Sequence, residues 1–244
     1  MGYRINHEVD TMKQKSYKQM MDEATRDLGL DPTYFNKDGS LKKLLSVNNE
    51  KMIETTKANP GKMFVCWNLP PKITCPQAKD CLPYCYASKG CYGFRDPKLS
   101  MQRHLDLSKS NDFVRLMNEE IGWRVRNLKK KGMTLYVRVH DSGDFYNLKY
   151  AMKWIEIAKA NSDAVFYSYT KCVRMWNEIE DAGLRPDNFK IIYSEGGKQD
   201  LEIRDYVTTA VVIKDPSQMT EDMMDATGND YIALIAKTVA LPIH

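Results

Sequence analysis

TLYVRVHDSGD, residues 134–144, is an alternating apolar stretch that ends in a cluster of ionisable and small residues. In an extended chain Leu135, Val137 and Val139 share one face, and Tyr136, Arg138 and His140 share the other. With the aliphatic face packed on helices, Arg138 and His140 are expected to point to the ligand-bearing side. Helical patterns flank this strand. Upstream, SNDFVRLMNEEIGWRVRNLKKKG (110–132) lines up Phe113, Leu116, Met117, Ile121, Val125 and Leu128, with Ser110 or Asn111 as the cap and Gly132 as the stop. Downstream, YNLKYAMKWIEIAKAN (146–161) turns Leu148, Met152, Ile155 and Ala158 inward. The alternation continues through AVFYSYT, CVRMWNEIEDAG, FKIIYS and VTTAVVI. Periodicity leaves YIALIAK (231–237) as either a strand or a short helix.

Strands alternating with helices pair in parallel through right-handed crossovers. The fold expected is α/β, an irregular or incomplete (β/α) barrel, ahead of an open doubly wound sheet. No GxGxxG follows the first strand, which counts against a dinucleotide fold.

Ligands in such folds bind at the carboxyl ends of strands. Here those ends read Arg138 to Asp144, Tyr167 to Lys171, and Ser194-Glu195-Gly196-Gly197. His140 has Asp141 and Asp144 within four residues, which suits a proton carrier oriented by a carboxylate. Ser142-Gly143 lets backbone approach a ligand closely. The plainer reading of DSGD is a strand-to-helix turn. His140, Asp141, Asp144 and Lys171 are therefore the candidates for catalysis. Arg138, Ser142, Tyr169 and Glu195 are the candidates for cofactor binding.

A second feature lies at CPQAKDCLPYCYASKGC, residues 75–91, which holds four of the six cysteines in the spacing C-x5-C-x3-C-x5-C. Pro70, Pro71, Pro76 and Pro83 keep this region in turns. Thiols gathered on a loop in a reducing compartment usually hold metal, and a metal would order a loop of this length. Cys66 and Cys172 read instead as buried thiols without a function. Structural zinc favours close pairs such as C-x2-C, which are absent here. Wide spacing and Pro76 beside Cys75 favour an iron–sulfur cluster over zinc. Tyr84 and Tyr86 would then shield it from water.

The segments WNLPPKITCPQAKDCLPYCYASKG, RVHDSGDFYNLKYAMKWIEIAKA, FYSYTK and GNDYIALIAK together resemble the phage gene-product-eighty-eight-like family, from about Lys62 to the C-terminus. Through that family the chain is distantly similar to the radical enzymes that use S-adenosylmethionine. The resemblance implies a [4Fe–4S] cluster held by Cys75, Cys81 and Cys85 at the mouth of a partial barrel. Cys91, His140 or an exogenous group would be the fourth ligand. The radical enzymes space their cysteines C-x3-C-x2-C and carry a Gly-Gly-Glu stretch. This chain has neither, which counts against S-adenosylmethionine as its cofactor.

The expected function is redox or radical chemistry on an unidentified small or macromolecular substrate. The alternative is a structural zinc or cluster that staples a nucleic-acid- or protein-binding module. Net charge is only +4. The densest basic run, Arg124 to Lys131, reads first as a solvated helix end. Residues 1–60 are expected to form a polar helical extension, with helices at SYKQMMDEATRDLGL and NNEKMIETTKAN packed outside the main domain of 61–244. The polar N-terminus and the lack of an apolar run of about 18 residues predict a cytoplasmic protein without a membrane span, in the host cytoplasm if phage-encoded.

Overall fold

The structure, a computed structural model, describes Asn36 and residues 42–242, apart from the side chain of Cys91. The helix expected at SYKQMMDEATRDLGL lies outside the described residues. The fold belongs to the unit Lys43–His244. Its elements run α1 (Glu50–Ala58), β1 (Lys62–Trp67), α2 (Arg95–Lys109), α3 (Phe113–Lys129), β2 (Thr134–Val139), α4 (Leu148–Ala160), β3 (Ala164–Thr170), α5 (Val173–Asp181), β4 (Phe189–Ser194), β5 (Thr209–Ile213), β6 (Met223–Asp225), α6 (Ile232–Ile235) and β7 (Thr238–Pro242).

The seven strands form one sheet in the order β1-β2-β3-β4-β5-β7-β6, with every pairing parallel. The sheet curls into a half-barrel, so the expected incomplete barrel is present. β1 stands just ahead of the proline- and cysteine-rich stretch, where no alternation of apolar and polar residues announces a strand. KMFVCW is nonetheless an apolar six-residue run, and its last four residues are buried. YIALIAK resolves into the short helix α6, followed by β7.

The convex face carries Trp67, Val137, Val139, Phe166 and Phe189 against the helix layer. All five are fully buried. Aromatic rings seam that layer: Trp67 lies 6.2 Å from Trp154 between ring centroids, Phe113 5.5 Å from Trp154, and Trp176 5.4 Å from Phe189. Such edge-to-face pairs add to the stabilisation from apolar burial. In α3, Phe113, Leu116, Met117 and Ile121 are buried as expected. In α4 the inward residues are Tyr150, Ala151, Trp154, Ile155, Ile157 and Ala158, whereas Leu148 is exposed. The Asn147 cap starts the helix at Leu148, and the bulk of Trp154 and Tyr150 decides which face turns in.

The concave face would be open on a half-barrel. It is filled by α1 and α6: Met52, Ala233 and Ala236 pack on Phe64, Tyr167, Ile192 and Val239. The expectation that NNEKMIETTKAN packs outside is thus corrected, because this helix is the plug the incomplete barrel requires. Asn49 caps α1 through the Met52 N–H, and Thr56 accepts from the Phe64 N–H. The basic run Arg124 to Lys131 is the end of α3, and Arg124 itself is buried on Glu120 and the Leu45 carbonyl. Among the described residues, no helix is long and apolar enough to cross a membrane.

If α1 is part of the core, truncating its inward side chain must be expensive. Met52→Ala is expected to cost about 2–5 kcal/mol in urea unfolding, as for other buried methionines. A cost near zero would show α1 to be an external attachment.

Candidate metal centre and ionic cluster

Every strand of a parallel sheet ends on the same side, and one long loop lies across those ends. It starts after β1 at Asn68 and reaches α2. Backbone ties fix it at several points. The Leu69 N–H donates to the Ser142 carbonyl, and Ser142 Oγ returns a bond to the Leu69 carbonyl. The Asp80 N–H donates to Gly196 and the Lys198 N–H to Gln77, so Ala78 and Gly197 form an antiparallel bridge. Lys214, just past β5, stands 5.8 Å from the Tyr84 ring centroid. Tyr86 donates to the Asp141 carbonyl and Tyr92 to the Asp141 carboxylate. Leu69, Thr74, Ala78 and Ala87 are buried beneath the loop. The loop is therefore held by protein contacts, not by a metal alone.

Cys75, Cys81 and Cys85 alternate with these ties. All three are free and half-buried. Burial pushes the Cys75 thiol up to about 12, and Asp144, Cys81 and Cys85 add to the rise because they stand near enough to repel its thiolate. Among the described residues, no three His, Cys, Asp or Glu side chains are gathered around a single ion position. Cys66 and Cys172 are buried in the core, consistent with their reading as buried thiols. The Cys172 thiol donates to the Phe145 carbonyl.

The turn after β2 distributes the predicted site residues to different places. His140 has φ 72°, a left-handed conformation that breaks the strand alternation. Its N–H and that of Asp141 both donate to the Trp67 carbonyl. The His140 ring consequently lies on the helix side, 2.9 Å from the Tyr150 hydroxyl and 4.6 Å from the Phe145 ring centroid. Burial, reinforced by Arg138, lowers its pKa to about 3, so it is neutral at physiological pH. The expectation that His140 points into the barrel beside Arg138 is corrected. The strand period ends one residue early.

Arg138 and Asp141 do meet on the concave side. Arg138 Nη1 lies 3.2 Å from Asp141 and 3.0 Å from Asp230, and its guanidinium sits 5.0 Å over the Tyr169 ring. Asp230 also accepts from Tyr167 at 2.6 Å and Tyr169 at 3.3 Å, and pairs with Lys51 at 3.1 Å. Burial alone would raise the Asp230 carboxyl, but Arg138 and Lys51 outweigh it and hold the group below the usual value. Asn49 donates to Asp141 at 2.7 Å. The result is a buried cluster of two cations and two anions. Among the described residues, Arg138 Nε has no hydrogen-bond partner. Asp230, Lys51, Asn49 and Tyr92 were not singled out from sequence. The only signal for Asp230 was its place in GNDYIALIAK.

Three other predicted residues serve as clamps. Asp144 accepts from Thr170 Oγ1 at 2.6 Å and the Lys171 N–H at 2.9 Å, locking the β2 turn to the end of β3. Lys171 Nζ donates to the Ser194 side chain and to the Ser194 and Glu195 carbonyls, locking β3 to β4. Ser142 holds the loop at Leu69. Glu195 stands apart, lining a cavity of about 420 Å³ with Asp200, Arg204 and Lys237 beside β5 and β7. That cavity contains neither the cysteines nor Arg138, and chemistry gives priority to the mouth.

A parallel half-barrel whose strand ends are roofed by a cysteine-bearing loop defines an α/β barrel-type protein with its candidate site at the mouth. The chain belongs to the Gene product 88 family, whose family model matches residues 41–239. No curated protein and no solved structure matches the chain.

Gly143, at φ 85°, is where the loop comes closest. A Cβ there would stand 2.6 Å from Leu69 Cβ and 2.7 Å from Thr74 Oγ1. Gly143→Ala should destabilise the fold by at least ~2 kcal/mol, from left-handed strain together with overpacking. An unchanged melting temperature would refute this docking.

Two histidines packed among other groups, His140 buried and His104 half-buried, give a pH signature. His140 is lowered to about 3 and His104, mainly by burial, to about 4, against 6.5 for a free histidine. Below pH 6.5 the unfolded chain takes up protons that the folded chain refuses, so stability falls as pH drops from 6.5 towards 4. His104→Gln with His140→Gln should flatten that slope in denaturant titrations at stepped pH. An unaltered slope would mean the rings are not packed as described.

Proposed function

We propose that this is an iron–sulfur protein in which Cys75, Cys81 and Cys85 hold a cluster, most simply [4Fe–4S], over the mouth of the half-barrel. The observation that carries this reading is that three free, half-buried cysteines lie on one loop tied to the strand ends. The donor set fits the group. Thiolates are soft ligands suited to such clusters. Structural zinc favours close pairs such as C-x2-C, which the spacing of these cysteines does not provide.

When bound, the cluster supplies one-electron chemistry. The chain's own residues hold and orient what surrounds it. Tyr86 and Tyr92 tie the loop to Asp141, and Asp141 is braced by Arg138. The Arg138–Asp230 pair keeps a fixed charge pattern beneath the loop. Neutral His140 is not placed to carry protons at this face. Lys171 and Asp144 set the strand ends rather than meet a substrate. The redox or radical reaction and its substrate stay within this proposal, as does the distant likeness to the radical enzymes. The protein ties across the loop favour this reading over a purely structural staple, because the loop has other means of staying in place.

Anaerobically reconstituted protein should contain iron and acid-labile sulfide and absorb near roughly 400 nm. Cys75→Ser, Cys81→Ser and Cys85→Ser should each remove most of the absorbance, whereas Cys172→Ser should retain it. Because the loop is tied by protein, the metal-free form should keep its circular dichroism and a cooperative melt. Stoichiometric zinc without sulfide would overturn the proposal. Unfolding on metal removal would favour the staple.

A further inference from the structure

The loop that roofs the mouth presents an outer surface for which the redox reading has no use. Ile73, Tyr84 and Phe94 are 71%, 61% and 66% exposed, and Leu82 is also exposed. Exposed large side chains are ordinary singly, but five within residues 73–94, Tyr86 included, are not. The same stretch, residues 72–98, carries five exposed cations, Lys72, Lys79, Lys89, Arg95 and Lys98, against two exposed carboxylates, Asp80 and Asp96. None of the five has an ion-pair partner among the described residues. Exposed cations without an ion-pair partner among the described residues also occur elsewhere, as at Lys131, Lys149 and Lys159, whereas Lys57, Lys129, Arg174 and Arg204 are paired; what marks this stretch is that its cations fall among the exposed rings. Lys214 adds a further positive charge over the Tyr84 ring.

We infer that this face binds single-stranded nucleic acid, with Tyr84 and Phe94 as stacking platforms and the five cations as phosphate contacts. Unpaired cations complement a polyanion, and flat exposed rings complement unstacked bases. Four prolines and the ties to Ser142, Gly196 and Asp141 pre-order the surface, so little freedom is lost on binding. A duplex, with its bases stacked inside, offers phosphates but nothing for the rings. The inference is independent of the cluster, because it uses exposed side chains other than the cysteines, on a loop already held by protein contacts.

The test is fluorescence anisotropy of the full chain with a labelled oligothymidylate, and with a duplex of mixed sequence as comparison. Tight binding to the single strand is expected, weakening with salt at a log–log slope of about −3.5 for five phosphate contacts. Tyr84→Ala and Phe94→Ala should each weaken it by about fivefold to a hundredfold, the range of base stacking on an aromatic ring. Lys89→Glu with Lys98→Glu should weaken it at least tenfold. Lys131→Glu, on the basic end of α3 at the opposite end of the strands, should leave it unchanged. Iron content and melting temperature of each variant separate a lost surface from a lost fold or cluster. No binding, equal loss with Lys131→Glu, duplex binding as tight as single-strand binding, or binding only to an acidic protein would each overturn the inference.

Discussion

The left-handed backbone at His140 and Gly143 is the constraint on which the mouth of this protein depends. At His140 it breaks the two-residue period of β2, sending the imidazole to the helix layer and freeing Asp141 to face the concave side. At Gly143 it brings the turn against Leu69 and Thr74, where no side chain fits. A histidine at positive φ carries a strain of order 1–3 kcal/mol. That strain is offset locally, because the Trp67 carbonyl accepts from two successive N–H groups and the ring finds Tyr150 and Phe145. The same short turn thus positions a core residue, an ionic residue, a docking site and, through Asp144, the end of β3.

Below that turn, the ionic cluster explains why α1 belongs inside. Two carboxylates buried near each other would be intolerable without compensating charge. Arg138 serves both, and Lys51 arrives from α1 to balance Asp230. Asn49, the cap of the same helix, donates to Asp141. The helix that supplies apolar cover to the concave sheet thereby also supplies polar partners. Thr55, on its inward face, accepts from the Asp230 N–H. An external helix could satisfy none of these groups, so the incomplete barrel and its plug are one structural solution.

Much of this was legible in the sequence, and the failures have definite causes. The helices α3 to α5 follow from periodicity, since each has a buried and an exposed side, and the strands β2 to β5 follow from short apolar and aromatic runs set between them. β1 was obscured because it sits among prolines and cysteines that dominate the reading of its segment. The placement of Arg138 was correct because it lies within the regular strand. That of His140 was not, because alternation cannot foresee where a strand period ends. Leu148 was misassigned as inward because hydrophobicity ranked it above Tyr150, although ring volume and the Asn147 cap set the helix phase. Asp230 pairs with Arg138 across 92 residues, and no local pattern encodes such a distance.

The loop itself shows how protein ties change the meaning of a cysteine cluster. A long proline-rich segment without such ties would need a metal to pay its ordering entropy. Here the loop has bonds to the ends of β2 and β4, a lysine over Tyr84 from beyond β5, and four buried side chains of its own. Most of the ordering is therefore complete before any ligand arrives. The shape of the loop rests on its protein contacts. The loop carries exposed cations and also reaches the ionic cluster. Its tyrosines join them: Tyr84 faces outward, whereas the hydroxyls of Tyr86 and Tyr92 reach down to Asp141.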